Sequence, residues 1–345
     1  MSDQPSTIRT MSAPEFDSAY AKLDRAREHQ TTLAEIWNEY LDMSPFDFSL
    51  IDDGPKRWVL RATQSEPLPE RMSVIFGEWL FNLRSALDSL IWATAVHMSR
   101  SDPPPKESAL QYPIYDTEEQ WKRNLYRLKP LAEHQRDMLH SMQPFNSEIP
   151  DANFLGWINR LARIDRHRRM TIATARVAEL NPVVQFRRDD PPVLEWGEQQ
   201  FRDGYCDLVR LTVQNGDGLI PKANPRAGID PEIAEWGDSP WWSRKRFSER
   251  LQMMELFVRA EVALYEYDCT GGTRDFNPTT EEFRRESDRR RATVEAQPIA
   301  RSERRKVAWV ASTKTKESTR AKFLGLDFHP HGPGEVESAW GGEGR

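Results

Sequence analysis

Cysteine is scarce: 345 residues hold two, Cys206 and Cys269, 63 positions apart, with no Cys-x-x-Cys and no matching histidine cluster. That excludes a disulfide framework and a cysteine-ligated zinc site, and it points to a reducing compartment. Apolar residues are few as well, at 38% of the chain with a mean hydropathy of −0.74. No window approaches the run of about 18 apolar residues that reads as a membrane-spanning helix, and the opening MSDQPSTIRTMSAPEF has no apolar signal core. The expectation is a soluble cytoplasmic protein with no membrane partner. A Gly-rich phosphate loop, an HExxH helix, a Ser/His/Asp arrangement and a dinucleotide fingerprint are all missing. No cofactor and no metal is expected, and His329-Pro330-His331, without a third convergent ligand, reads as solvated chain.

Charge is plentiful, at 30% of residues, but unevenly placed. Residues 1–269 carry 33 Lys/Arg and 42 Asp/Glu, whereas 270–345 carry 15 and 12. An acidic body argues against a broad nucleic-acid-binding face on the folded part, although a local basic patch remains compatible with it. The stretch Thr279 to Lys322, with 13 basic and 7 acidic residues and Trp309 among them, is a candidate for contacting RNA or another anionic partner. The chain is therefore divided into a flexible N-terminus at 1–13, a single helical-bundle domain with β insertions at 14–269, and a basic, largely disordered tail at 270–345. That tail holds at most a short charged helix near Thr279 to Arg291.

The expected fold class is α+β, mainly α: a bundle of four or five helices with a β-hairpin and a small antiparallel sheet. Ser12-Ala13-Pro14-Glu15 has capping-box spacing and starts a helix over 14–43. Phe46, Phe48 and Leu50 alternate, Asp53-Gly54 offers a turn, and Trp58, Leu60 and Ala62 alternate again, a hairpin pattern. After Pro67 and Pro69 a long helix runs to Ser99, where the Pro103-Pro104-Pro105 run follows. Helices are expected at 118–126, 131–142 and 151–169. The segments VVQF, VLEWG and YCDLVRLTV between Thr171 and Val213 read as strands. Ser239-Pro240 opens the last helix, with Phe247, Leu251, Met254, Val258, Val262 and Tyr265 on one face, and Gly271-Gly272 ends it. Twelve tryptophans, Trp241-Trp242 among them, are anchors of a core or of an interface.

Residues 77–90, GEWLFNLRSALDSL, carry most information, because Glu78, Asn82, Arg84 and Asp88 interrupt an apolar helix and must be paired or put to use. On a helical wheel Leu80, Leu83, Leu87, Leu90, Ile91 and Met98 fill an apolar arc of about 100°. Arg84 and Asp88, four apart, lie off its edge, and Glu78, Asn82, Ser85 and Ser89 form a separate polar stripe. On the helix from Asp151, Asp165 falls within the stripe of Phe154, Ile158 and Leu161, so its carboxylate needs a cation or several donors. An interhelical polar cluster of Arg84, Asp88 and Asp165, with His167 nearby, is expected to hold helix register.

GEWLFNLRSALDSLIW, YPIYDTEEQW, Gln143-Pro144-Phe145 and LGWINRLARIDRHRR, in that order over residues 70–170, resemble a group of uncharacterised bacterial proteins. That group carries a GE-x-x-x-NLRSALDHL-type helix, an FPI-type segment, a QPY-type step and a DKHR-type helix end, and it brings no established activity. Ser89 stands where the group commonly has histidine, and Arg166 where it has lysine. An arginine followed at this spacing by histidine is similar to the R-x4-6-H signature of HEPN ribonucleases, in which arginine steadies phosphate and histidine moves protons. Ser89 leaves the match from Arg84 incomplete. A second match, Arg160 with His167, keeps the spacing and places the two within about 20° on the wheel. The expected function is a non-catalytic cytosolic binding or interaction module, with self-association as one mode. The enzyme alternative is a HEPN-like, metal-independent ribonuclease using Arg160 and His167, or a degenerate relative that only binds RNA.

Overall fold

The computed structural model describes residues 13–149, 152–167, 172–185, 192–214, 222–233, 242 and 245–272. Trp241, the charged stretch from Thr279, His329 and His331 lie outside them. The protein is a mainly helical α+β protein, and its contacts divide it into two compact units. Of the described residues, 13–30, 76–167 and 251–272 form the first, and 31–75 and those between 172 and 250 belong to the second.

The first unit is helical. It takes the start of α1 (Asp17–Asp42), most of α2 (Glu70–Ser99), all of α3 (Glu118–Asn124), α4 (Glu133–Ser141) and α5 (Phe154–His167), and most of α6 (Phe247–Thr270). A 3-10 turn at Pro14–Phe16 precedes α1, its N-cap Ala13 offers no side-chain bond, and Glu15 reaches His97 Nδ1 at 2.8 Å instead of closing a capping box. The apolar arc of α2 is buried at Leu80, Leu83, Leu87, Leu90 and Ile91, whereas Met98 is exposed. Phe154 of α5 stacks on Phe257 of α6, ring centroids 5.0 Å apart.

Helix α6 is buried nearly all round, not along one stripe: Phe257, Ala260 and Ala263 are covered together with Met254, Val258 and Val262. Charged groups survive there because each is answered. Arg259 binds Asp24 at 2.9 Å, Glu255 takes Arg27 at 2.8 Å, and Glu266 accepts from the Tyr20 hydroxyl at 2.7 Å. Gly271, at φ +75°, adopts the left-handed conformation that ends the helix, its N–H donating to Tyr267 O at 2.8 Å.

The second unit holds the strands. Strands β1 (Phe46–Asp52) and β2 (Arg57–Gln64) form the hairpin, turning at Gly54 with φ +108°. The hairpin does not stand apart from the later strands. β2 pairs antiparallel with β6 (Tyr205–Thr212), which pairs with β5 (Val193–Trp196), so one sheet has the order β1-β2-β6-β5. Pairing with β6 satisfies the backbone N–H and C=O groups that β2 would leave open at the edge of an isolated hairpin. Trp37, Tyr40, Phe46 and Phe201 pack ring against ring in its core, at centroid distances of 5.1–6.4 Å. VVQ becomes β4 (Val183–Gln185) and pairs with β7 (Lys222–Asn224), outside that sheet.

Two further strands, β3 (Ile172–Leu180) and β8 (Ala227–Ile233), pair antiparallel. β8, AGIDPEI, is buried along its whole length, carboxylates included. Its Glu232 is fully enclosed, flanked by Arg176 of β3 and Arg250 of α6, and Asp230 meets Arg246 at 3.4 Å and the Phe247 N–H at 3.2 Å. Arg246 also binds Glu179.

Candidate functional site

Arg84 and Asp88 sit one turn apart on α2, which brings their side chains together at 3.1 Å. Both also bind the chain's own backbone. Arg84 Nη2 donates to Tyr112 O at 2.8 Å, and Asp88 Oδ1 accepts from Tyr112 N at 2.9 Å. The pair thus grips both polar groups of one residue, as an antiparallel strand neighbour would.

Gln143, fully buried at the start of the Pro144–Asn146 turn, continues that grip. Its Oε1 accepts from Tyr115 N at 2.9 Å, while Nε2 donates to Pro113 O and Leu139 O, each at 2.9 Å. Extended chain without a strand partner must satisfy its N–H and C=O groups in some other way, and here three side chains do so over Tyr112–Tyr115. Three blocks of the sequence resemblance, NLRSALD, YPIY and Gln-Pro-Phe, therefore meet in one structural clamp.

The fourth block meets the first at Gly77. A Cβ placed there would lie 2.7 Å from Asp165 Oδ1 and 2.8 Å from Oδ2, so the α5 carboxylate rests where only glycine leaves room. Gly77→Ala is expected to destabilise the protein by about 1–3 kcal/mol through overpacking, despite the roughly 1 kcal/mol that alanine gains in helix propensity. Urea titration of the two single variants and of Gly77→Ala with Asp165→Ala checks this. Coupling of at least about 1 kcal/mol is expected between adjacent sites, and a stabilised Gly77→Ala would refute the contact.

The separate polar stripe of α2 faces α1. Lys22 Nζ donates to Ser89 Oγ at 2.6 Å, Ser18 Oγ lies 3.5 Å from Ser89 Oγ, and His29 Nδ1 lies 3.6 Å from Glu78 Oε2. Asn82 donates to Glu78 O at 2.8 Å within its own helix. Burial holds both the Lys22 ammonium and the His29 imidazolium below their ordinary pKa values.

Behind the clamp, the Tyr112 hydroxyl donates to Glu261 Oε2 at 2.9 Å. Burial pushes the Glu261 carboxyl up to about 7 and the Tyr112 phenol well above its ordinary value. Sequence patterning missed Glu261, which sits among the apolar residues of α6. The available signal was a carboxylate at a position that packing on all sides of the helix must cover.

Arg160 is exposed, its guanidinium 5.1 Å from the Trp157 ring centre. His167 ends α5, and its side chain lies outside the described set, as does that of Arg166. Both cysteines are free thiols pushed up to about 12 by burial, which leaves them protonated and poor nucleophiles at neutral pH. Among the described residues no cluster of His, Cys, Asp and Glu could hold a metal ion, and no helix is long and apolar enough to cross a membrane. No family model matches the chain, and no curated protein and no solved structure is similar to it.

Proposed function

We propose that the chain is a non-catalytic binding module of the cytosol. The observation that carries this reading is the use made of Arg84, Asp88 and Gln143. Their donors and acceptors hold the chain's own peptide groups at Tyr112–Tyr115. A catalytic arginine or carboxylate must meet developing charge on a substrate, and groups engaged in this way serve the fold instead.

The competing reading, a metal-independent ribonuclease built on Arg160 and His167, is tested directly. Labelled RNA incubated with wild type, Arg160→Ala and His167→Ala is expected to remain full-length in all three on a denaturing gel. Cleavage by wild type that falls by about 100-fold or more in either variant, the scale of losing one acid–base or charge-stabilising group, would establish the ribonuclease.

A further inference from the structure

On the first unit, the segment Lys122-Arg123-Asn124-Leu125-Tyr126-Arg127-Leu128-Lys129 leaves α3 through a 3-10 turn. The turn places Tyr126 outward, 49% exposed, large for an aromatic ring. Two cations gather on it. Arg127 Cζ lies 5.8 Å from the ring centre with its Nε donating to the Tyr126 hydroxyl at 3.4 Å. Lys106 Nζ lies 5.5 Å from the same centre and donates to Tyr126 O at 3.3 Å. Tyr115, half-buried, feels the charges of Arg127, Arg84 and Arg123.

The charge balance is local and positive. Glu118 is taken by Lys122 at 3.3 Å and His140 at 2.9 Å. Lys106, Arg123, Arg127 and Lys129 have no carboxylate partner among the described residues, although Glu107, Asp116 and Glu119 are close in sequence. In a chain whose first 269 residues carry a net excess of acid, two unneutralised cations on an open ring, with Arg123 and Lys129 three residues from it on either side in sequence, are a departure that folding does not require.

We propose that Tyr126, with Lys106, Arg123 and Arg127, is a binding site for single-stranded nucleic acid. A base stacks on the tyrosine or on the Arg127 guanidinium plane, and the flanking phosphates lie against Arg123, Arg127 and Lys106. Ring faces accept any base, and cations follow the backbone, so the site tolerates sequence and depends on salt. This inference rests on the reading of the chain as a binding module, and it assigns the ligand to described residues of the first unit instead of to the basic segment from Thr279.

The test uses the full chain and fluorescence anisotropy with labelled oligouridylate and oligothymidylate of about a dozen nucleotides, at about 50 and about 200 mM salt. Tyr126→Ala leaves the charge unchanged and is expected to weaken binding roughly tenfold, whereas Tyr126→Phe keeps the ring and the affinity. Arg123→Glu with Arg127→Glu is expected to flatten the slope of log affinity against log salt by about 1.4, the contribution of two phosphates on a single strand. Capture of either oligonucleotide with these losses supports the site. Unchanged affinity in both Tyr126→Ala and the double charge reversal overturns it, as does failure of wild type to bind either strand. A gel of the same samples separates the two ideas: shortened RNA defeats the non-catalytic reading, while the Tyr126→Ala loss still upholds the site.

Discussion

Glu232→Ala is expected to cost about 3–5 kcal/mol, the penalty for stripping one partner from a buried charge network. The Glu232 carboxylate accepts from Arg176 Nη1 at 3.3 Å, from Arg250 Nη2 at 3.2 Å and from its neighbour's Ile233 N–H at 2.9 Å, and Arg250 Nη1 closes a fourth contact. Arg176 and Arg250 are themselves buried. Removing the carboxylate leaves two buried guanidinium groups facing each other with Asp230, already bound to Arg246, as their nearby counter-charge, and the strand pair β3–β8 with the start of α6 loses its centre. Urea unfolding followed by tryptophan fluorescence and by backbone dichroism checks it, and a variant within about 1 kcal/mol of wild type would show that the triad carries no such weight. A triple replacement, Arg176→Met with Glu232→Leu and Arg250→Met, separates pairing from packing. It removes all three charges together and is expected to lie near wild type or above it, by up to about 4 kcal/mol.

Helices with one clear apolar period were legible in the sequence. α2 ends at Ser99 as its apolar pattern and the following prolines require, and the Asp53-Gly54 turn sits where alternation breaks. β8 was not legible, because Asp230, Pro231 and Glu232 read as loop residues while their burial depends on one arginine more than 50 positions upstream and on two some 16–18 downstream. Local pattern contains no record of such pairing. α6 was half legible for the same reason: its second face carries Glu255, Arg259 and Glu261, whose partners Arg27, Asp24 and Tyr112 are distant in sequence.

The GEWLFNLRSALDSL helix shows the same limit at the level of function. Its polar positions announce that they must be satisfied, and the wheel separates Arg84 and Asp88 from Glu78, Asn82, Ser85 and Ser89. What each group meets is a tertiary fact: the pair holds Tyr112, and the stripe faces Lys22, Ser18 and His29. Gly77, which looked like an ordinary member of the helix, is where Asp165 arrives. The basic turn around Tyr126 was visible as letters, but its importance depends on which cations lack carboxylates, and only the fold decides that.

Glu261→Gln is expected to remove part of the protein's pH dependence. The Glu261 carboxyl ordinarily titrates at 4.5, and burial moves it to about 7 in the folded chain, where Tyr112 alone relieves it slightly. Between those two values the folded state holds a proton that the unfolded state has released. Stability therefore falls as pH rises through the window from 4.5 to about 7 and levels off above it. At about 1.4 kcal/mol per unit, the whole displacement amounts to about 3 kcal/mol for a fully enclosed group. Buried Asp230 is raised in the same direction, again chiefly by burial, so the wild-type curve alone does not isolate Glu261. The difference between wild type and Glu261→Gln does, because glutamine keeps the shape and a partner for the Tyr112 hydroxyl while carrying no titrating proton. Denaturant titrations across this range are expected to place the two proteins within about 1 kcal/mol of each other near pH 5, and the variant about 3 kcal/mol more stable near pH 8. Parallel curves at every pH would mean that the carboxyl keeps its ordinary titration, and that the Tyr112–Glu261 contact is more solvated than the fold implies.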